Sequence, residues 1–200
     1  MPDSIRKLIE SFKMLPGIGE KTAERMALYT LDLDQDIIDL FVHSLSHIKT
    51  DIKRCSICNN LTEKDICPIC SSKNRNKDII CVVEEPKNVF QFEKIGTFNG
   101  VYHVLDGLIS PLDNINPEDI NLDSLIKRIE NDKIKEIIIA VKPSIEGETT
   151  ALYISKLLAG KNVLISKIAH GIPLGADMDY IDPLTLELAI EERKNITTEE

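Results

Sequence analysis

The chain has 200 residues, 42% of them apolar, with a net charge of −9. That size can bury one good core with small satellites, and no apolar run approaches the roughly 20 residues that span a bilayer. The N-terminal Met-Pro-Asp-Ser-Ile-Arg-Lys lacks a signal-peptide apolar region, so a cytoplasmic protein with no membrane role is expected.

The acidic total hides a polarity. Residues 1–77 carry 12 Lys/Arg against 11 Asp/Glu, and residues 78–200 carry 12 against 22. Because binding follows the local field and not the global sum, nucleic acid stays open as a partner of the front part.

In chain order, Ser4–Met14 places Ile5, Leu8, Ile9 and Phe12 at helical spacing, with Asp3 or Ser4 available as N-cap. Leu15-Pro16-Gly17-Ile18-Gly19 breaks that helix. A second helix is predicted over Lys21–Leu31, with Ala23, Met26, Ala27 and Thr30 on its packing side, and a third from about Gln35 to Lys53. In the third, Ile37, Ile38, Phe41, Val42, Leu45 and Ile48 repeat every 3.6 residues.

The turn with its flanking helices has the form of a helix-hairpin-helix. Gly17 and Gly19 open backbone conformations closed to other residues and carry no side chain to hold a ligand away. Amides at the start of the second helix can face a phosphate. Lys21 and Arg25, four residues apart, project from one face and can neutralise neighbouring phosphates without reading sequence. An ordinary helical hairpin with solvated charges is the competing reading.

Cys55-Ser-Ile-Cys58 and Cys67-Pro-Ile-Cys70 are two Cys-x-x-Cys pairs eight residues apart. Each pair lets two sulfurs of a tight turn reach one ion, and two pairs supply the closed tetrahedral set of a structural zinc site. Two disulfides are the alternative, disfavoured in a reducing compartment. A closed site has no position for water or substrate, so one Zn²⁺ here holds the fold. The fifth cysteine, Cys81, lies in an apolar run and reads as an inert core thiol. A basic linker, 71–77, follows the knuckle.

From Asp78 onward, short apolar runs alternate with helical stretches. Strands are predicted at Ile79–Val83, Val101–Leu105, Ile137–Val141 and Val163–Ile168, and helices at Val89–Ile95, Leu122–Glu130, Thr149–Ala159 and Leu184–Arg193, with a frayed acidic end. This alternation predicts a mostly parallel α/β sheet covered on both faces. Four acids stand beyond strand ends: Glu84 and Glu85 after the first strand, Glu146 and Glu148 after Ile137–Val141. Functional groups of open α/β sheets collect there. Converging acids have the oxygen chemistry for Mg²⁺; solvated loop acids, or acids that recognise a basic partner protein, are equally open. The loop His170–Tyr180 is rich in glycine but lacks the Lys-Ser/Thr ending of a P-loop, and a structural loop is the better reading. His43, His47 and His103 show no ligand-like grouping.

In order and in combination, LPGIGEKTAER (15–25), the cysteine spacing at 55–70, CVVEEPKNV (81–89), YHVLDGLISPL (102–112), EGETTALYI (146–154) and GIPLGADMDYID (171–182) resemble the bacterial RecR family of recombination mediators. The resemblance implies a multi-domain α/β chain: a helix-hairpin-helix domain over 1–54, a four-cysteine zinc finger and basic linker over 55–77, a Toprim domain over 78–173, and a C-terminal loop and helix over 174–200. In the wider Toprim group the first-strand glutamate corresponds to Glu84 or Glu85, and the acidic pair to Glu146 and Glu148. Five positions depart: Glu146 and Glu148 stand where the wider Toprim pattern has Asp-x-Asp, and Lys142, His170 and Ala176 stand where the family usually has an asparagine or similar residue, an arginine and a second glycine.

The resemblance further implies a non-enzymatic DNA-repair protein. It would clamp single-stranded, gapped or double-stranded DNA as a ring-shaped homotetramer and work with RecO and RecF to load RecA onto gapped single strands. A Mg²⁺-dependent Toprim phosphodiester-cleaving enzyme is the alternative, although no nucleophile or base is visible. A monomeric zinc-bearing adaptor without DNA contact is a third.

Overall fold

The structure is a computed structural model that describes residues 1–169 and 171–193. His170 and the frayed end expected beyond Arg193 lie outside the described residues. The chain divides into two compact units, Met1–Ile52 and Lys53–Glu200.

The first unit contains α1 (Asp3–Lys13), α2 (Glu20–Tyr29), a 3₁₀ turn (Thr30–Asp32) and α3 (Gln35–Asp51). The expected side-chain N-cap of α1 is absent. Pro2 occupies the cap, and Asp3 sits inside the first turn with its carboxylate 2.7 Å from Arg6. The α1–α2 hairpin closes on Ile9, Ala23 and Ala27, with Ile5, Leu8, Phe12 and Ile18 packed around them. Two alanines let the helix backbones approach closely, which keeps this core small.

The third helix forms where the repeat places it. Its apolar stripe does not form a buried face: Ile38 alone is half-buried, and every other residue of α3 is exposed. Leu40 is 67% exposed, Leu45 61% and Val42 57%.

The second unit begins with a hairpin of β1 (Lys53–Arg54) and β2 (Leu61–Thr62), followed by the single turn α4 (Pro68–Ser71). Then come β3 (Ile79–Val83), α5 (Pro86–Ile95), β4 (Val101–Val104), α6 (Leu122–Asn131), β5 (Glu136–Ala140), α7 (Ile145–Leu157), β6 (Leu164–Lys167) and α8 (Pro183–Glu191). The four long strands form one sheet in the order β4-β3-β5-β6, every pair parallel. This is the predicted parallel sheet.

Alternation within the apolar strands sorts the two faces. Ile80, Val82, Ile137 and Ile139 pack with Leu122, Leu125 and Ile129 of α6 and with Ala151 and Ile154 of α7. Cys81, Val83, Tyr102 and Val104 pack on the opposite face with Val89 of α5. Burying one such aliphatic side chain stabilises by about 1.5–3 kcal/mol. Cys81 is a buried core thiol as expected, and burial pushes its pKa up to about 12. The chain runs outward from β3 to β4, then returns past β3 to β5. The crevice between the carboxyl ends of β3 and β5 is therefore the topological switch point.

One boundary matters for the site. The helix predicted from Thr149 begins four residues earlier, at Ile145. Ser144 caps it by accepting from the Gly147 amide at 3.2 Å. Gly147 lies so close to the preceding loop that an added Cβ would collide with the Lys142 carbonyl oxygen. Glu146 and Glu148 thus stand on the first turn of a helix and not in a strand-end loop.

Candidate functional site

The four knuckle cysteines come together. All are buried, and their sulfurs lie within 4.8 Å of one another. Asn59 turns the first pair through a left-handed backbone (φ 60°), and its amide donates to the Cys55 carbonyl. Pro68 opens α4 behind Cys67 and brings Cys70 round. Backbone amides aim at the sulfurs: Cys67 N–H at Cys55 Sγ (3.3 Å) and Cys70 N–H at Cys67 Sγ (3.4 Å). The Cys58 thiol, 3.6 Å from Cys67 Sγ, holds the Cys67 thiol far below its ordinary range by hydrogen bonding to its thiolate. None of the five cysteines is in a disulfide. A Zn–S bond of about 2.3 Å gives a tetrahedral edge of about 3.8 Å, so this donor set fits zinc in kind, number and spacing.

The knuckle is locked to the sheet. The Val104 amide, at the end of β4, donates to the Cys58 carbonyl at 2.8 Å, and Asn59 Nδ2 donates to the Val104 carbonyl. Arg54 forks onto both oxygens of Asp106 at 2.7 and 2.9 Å. Arg75 of the linker meets the Glu93 carboxylate and the Phe98 and Gly100 carbonyls. No periodicity announces these long-range pairs.

The helical hairpin places the four residues singled out for phosphate contact around one turn and the start of α2. Gly17 has a left-handed φ of +81°. Gly19 does not: at φ −86° it is ordinary backbone, and its use lies in leaving space at the start of α2. No side chain caps α2, so its leading amides face outward. Lys21 and Arg25 are exposed, and among the described residues neither is in an ion pair. Glu20, by contrast, is paired with Lys13 at 2.6 Å.

Among the described residues, no three of the acids beyond the strand ends bring their oxygens within 4.8 Å of one another. Glu84, at the end of β3, faces Lys142 Nζ at 3.6 Å. Glu85 caps α5, with Asn88 returning the bond, and pairs with Lys87 at 2.6 Å. Glu146 accepts from the Ser144 hydroxyl at 2.7 Å, which holds its pKa below the ordinary carboxylate value, with Lys142 a smaller influence. Both Glu148 oxygens meet Lys167 Nζ, at 3.0 and 3.1 Å. Each of the four carboxylates thus has a polar or cationic neighbour, with Lys142 near both Glu84 and Glu146. Lys167 and Ser144 carry no motif of their own. Beside Glu148 and Lys167, an open groove of about 570 Å³ runs past Ile145, Leu152, Leu184 and Leu188.

A buried four-cysteine knuckle locked to a doubly wound parallel sheet, in a chain that begins with a helical hairpin, defines a zinc-finger Toprim protein of the helix-hairpin-helix type. Family models agree part by part: RecR helix-hairpin-helix over residues 5–49, the RecR zinc finger domain of four cysteines over 52–72, Toprim domain over 78–169 and RecR C-terminal over 171–194. The chain is also 48% identical over 195 residues to Recombination protein RecR of Enterococcus faecalis, covering 98% of each chain. It belongs to the RecR family of recombination proteins. No described helix is long and apolar enough to cross a membrane.

Proposed function

We propose that this protein is a non-enzymatic recombination mediator that clamps DNA as a ring-shaped tetramer and acts with RecO and RecF to load RecA onto gapped single-stranded DNA. The observation that carries the reading lies in the first unit: a helix start with no side-chain cap beside Gly17 and Gly19, flanked by exposed Lys21 and Arg25, neither in an ion pair among the described residues. That surface suits a phosphate backbone and has no means to read bases. Weak contacts of this kind gain strength when several linked copies engage one strand.

The oligomer is supported by α3. Leu40, Phe41, Val42 and Leu45 are each more than half exposed, a contiguous apolar face of the sort that marks protein contact surfaces. Cys55, Cys58, Cys67 and Cys70 hold one structural Zn²⁺ in this reading. Glu84, Glu85, Glu146 and Glu148 form an acidic rim for a basic surface of a partner such as RecO. The chain works as four parts, at 1–54, 55–77, 78–173 and 174–200, in the cytoplasm.

The test combines DNA and partner binding. Lys21→Ala with Arg25→Ala should weaken binding to all sequences alike and lower the salt slope by about 2, with zinc content unchanged. Glu146→Gln with Glu148→Gln should keep DNA binding and lose RecO association. Undiminished DNA binding by the first variant across a salt titration would remove the hairpin as the DNA site. Mg²⁺-dependent nicking by purified parent protein, abolished in the second, would replace the mediator with a Toprim nuclease.

A further inference from the structure

The switch-point crevice holds a cation of its own. Toprim domains imply a divalent metal between the first-strand glutamate and the acidic pair, yet here the ammonium of Lys142 stands 3.6 Å from Glu84 and that of Lys167 bridges both oxygens of Glu148. Glu84 is only 18% exposed at its side chain, so its charge is poorly screened and needs a nearby counter-charge. The parallel pairing aligns Val83 with Ala140, which brings the first residue beyond β3 alongside the loop that follows β5. Lys142 emerges from that loop, and its carbonyl is pinned against Gly147. Its position is therefore fixed by backbone packing, although its side chain is 55% exposed.

We infer that Lys142 is a built-in replacement for the Toprim metal: its ammonium occupies the cation position at Glu84, and with Lys167 held on Glu148 the site excludes divalent ions. Two physical reasons support this. A Mg²⁺ needs oxygens at about 2.0–2.1 Å in near-octahedral array, whereas each of these carboxylates already has a polar or cationic neighbour. An ion placed against Glu84 would also sit beside the Lys142 ammonium, and like charges about 4 Å apart repel even in bulk water. A monovalent ammonium balances Glu84 without drawing Glu146 and Glu148 together, so the crevice keeps its shape at any magnesium concentration. The inference is independent of the DNA-clamp reading.

The experiment titrates Mn²⁺ into the zinc-loaded full-length protein and follows free ion by electron paramagnetic resonance. Parent protein and Glu84→Gln should show the same weak binding. Lys142→Asn should gain a site at least about tenfold tighter, from loss of the like charge alone, and Lys142→Asn with Glu84→Gln should lose it again. Thermal melts with and without MnCl₂ give a second readout: the midpoint of Lys142→Asn should rise with Mn²⁺ and that of the parent should not. Two results would overturn the inference: Mn²⁺ binding by the parent that Glu84→Gln abolishes, or a folded Lys142→Asn that binds no tighter than the parent.

Discussion

The two compact units solve the burial problem in opposite ways. The Lys53–Glu200 unit covers both faces of its sheet with helices, and the side chains of β3 and β5 are almost entirely withdrawn from water. The Met1–Ile52 unit buries only Ile9, Ala23 and Ala27 and leaves most of the apolar side chains of α3 exposed. A unit with a full core can stand by itself, with its working groups at its rim. A unit with three buried residues is small by the standards of independent folding, and its surfaces are what it has to offer. Substitutions in the second unit should therefore act on stability, and those in the first on association.

The largest expected effect tests the second unit at its knuckle. Apparent zinc binding in comparable four-ligand sites is about 10–16 kcal/mol at neutral pH, as much as a whole domain's stability. Cys58→Ser or Cys67→Ser should release the metal and give insoluble or misassembled protein, measured by zinc content and sedimentation. Because Cys58 and Asn59 bond directly to Val104, the loss should spread to β4, visible as faster amide exchange there. Soluble, zinc-free protein with β4 still protected would separate the knuckle from the sheet.

Next is a pH effect buried in the same unit. His103 on β4 is fully enclosed, with Nε2–H donating to the Asn121 carbonyl at 2.8 Å and Nδ1 without a partner among the described residues. Burial, aided by the nearby Arg128 charge, lowers its pKa from 6.5 to about 4. The unfolded chain takes up this proton first. The stabilisation is therefore complete above pH 6.5 and drains away as pH falls from 6.5 towards 4. Over that window it amounts to about 3 kcal/mol. Urea denaturation at a series of pH values should show the slope, and His103→Gln should flatten it.

Gly147→Ala probes the start of α7. The added methyl meets the Lys142 carbonyl oxygen, and overpacking of this kind costs about 1–3 kcal/mol. The backbone must move away from Lys142, so a lower melting temperature should accompany altered chemical shifts at Lys142 and Glu84. An unchanged melt would show the loop to be freer than its packing implies.

The smallest effect on stability, and the sharpest for the comparison, belongs to α3. Phe41→Glu with Leu45→Glu replaces two exposed apolar side chains, and such surface changes usually lie within about 0.5 kcal/mol of neutral. The helix should stay folded by circular dichroism while light scattering reports a smaller assembly. A large loss of helicity with no change in assembly would mean that α3 belongs to an interior after all.

Much of this was legible in the sequence, for identifiable reasons. The buried strands are near-continuous apolar runs because both faces of a parallel sheet are covered, and all four were located to within two residues. The knuckle was legible because ligand spacing is local: two residues between cysteines dictate the turn. The start of α7 was not, since its signal is the cap at Ser144 and the close approach at Gly147, whereas the apolar repeat appears only farther along. The destination of the α3 stripe was equally hidden. A 3.6-residue repeat states that a helix has an apolar face, but it does not say whether that face meets its own chain or another surface.

The sequence by itself determined the order of parts, the parallel sheet, the metal-binding turns and the basic hairpin. Each of these rests on local geometry or on short-range periodicity. Only the tertiary structure decided where the charges go. Glu84 and Lys142 are far apart along the chain and meet because β3 and β5 pair in parallel; Glu148 and Lys167 meet because α7 begins at Ile145 and β6 follows it. Four acids that stand beyond two strand ends in the sequence meet Lys142, Lys87, Ser144 and Lys167 in space. Coulomb attraction acts over ångströms of distance and takes no account of position along the chain.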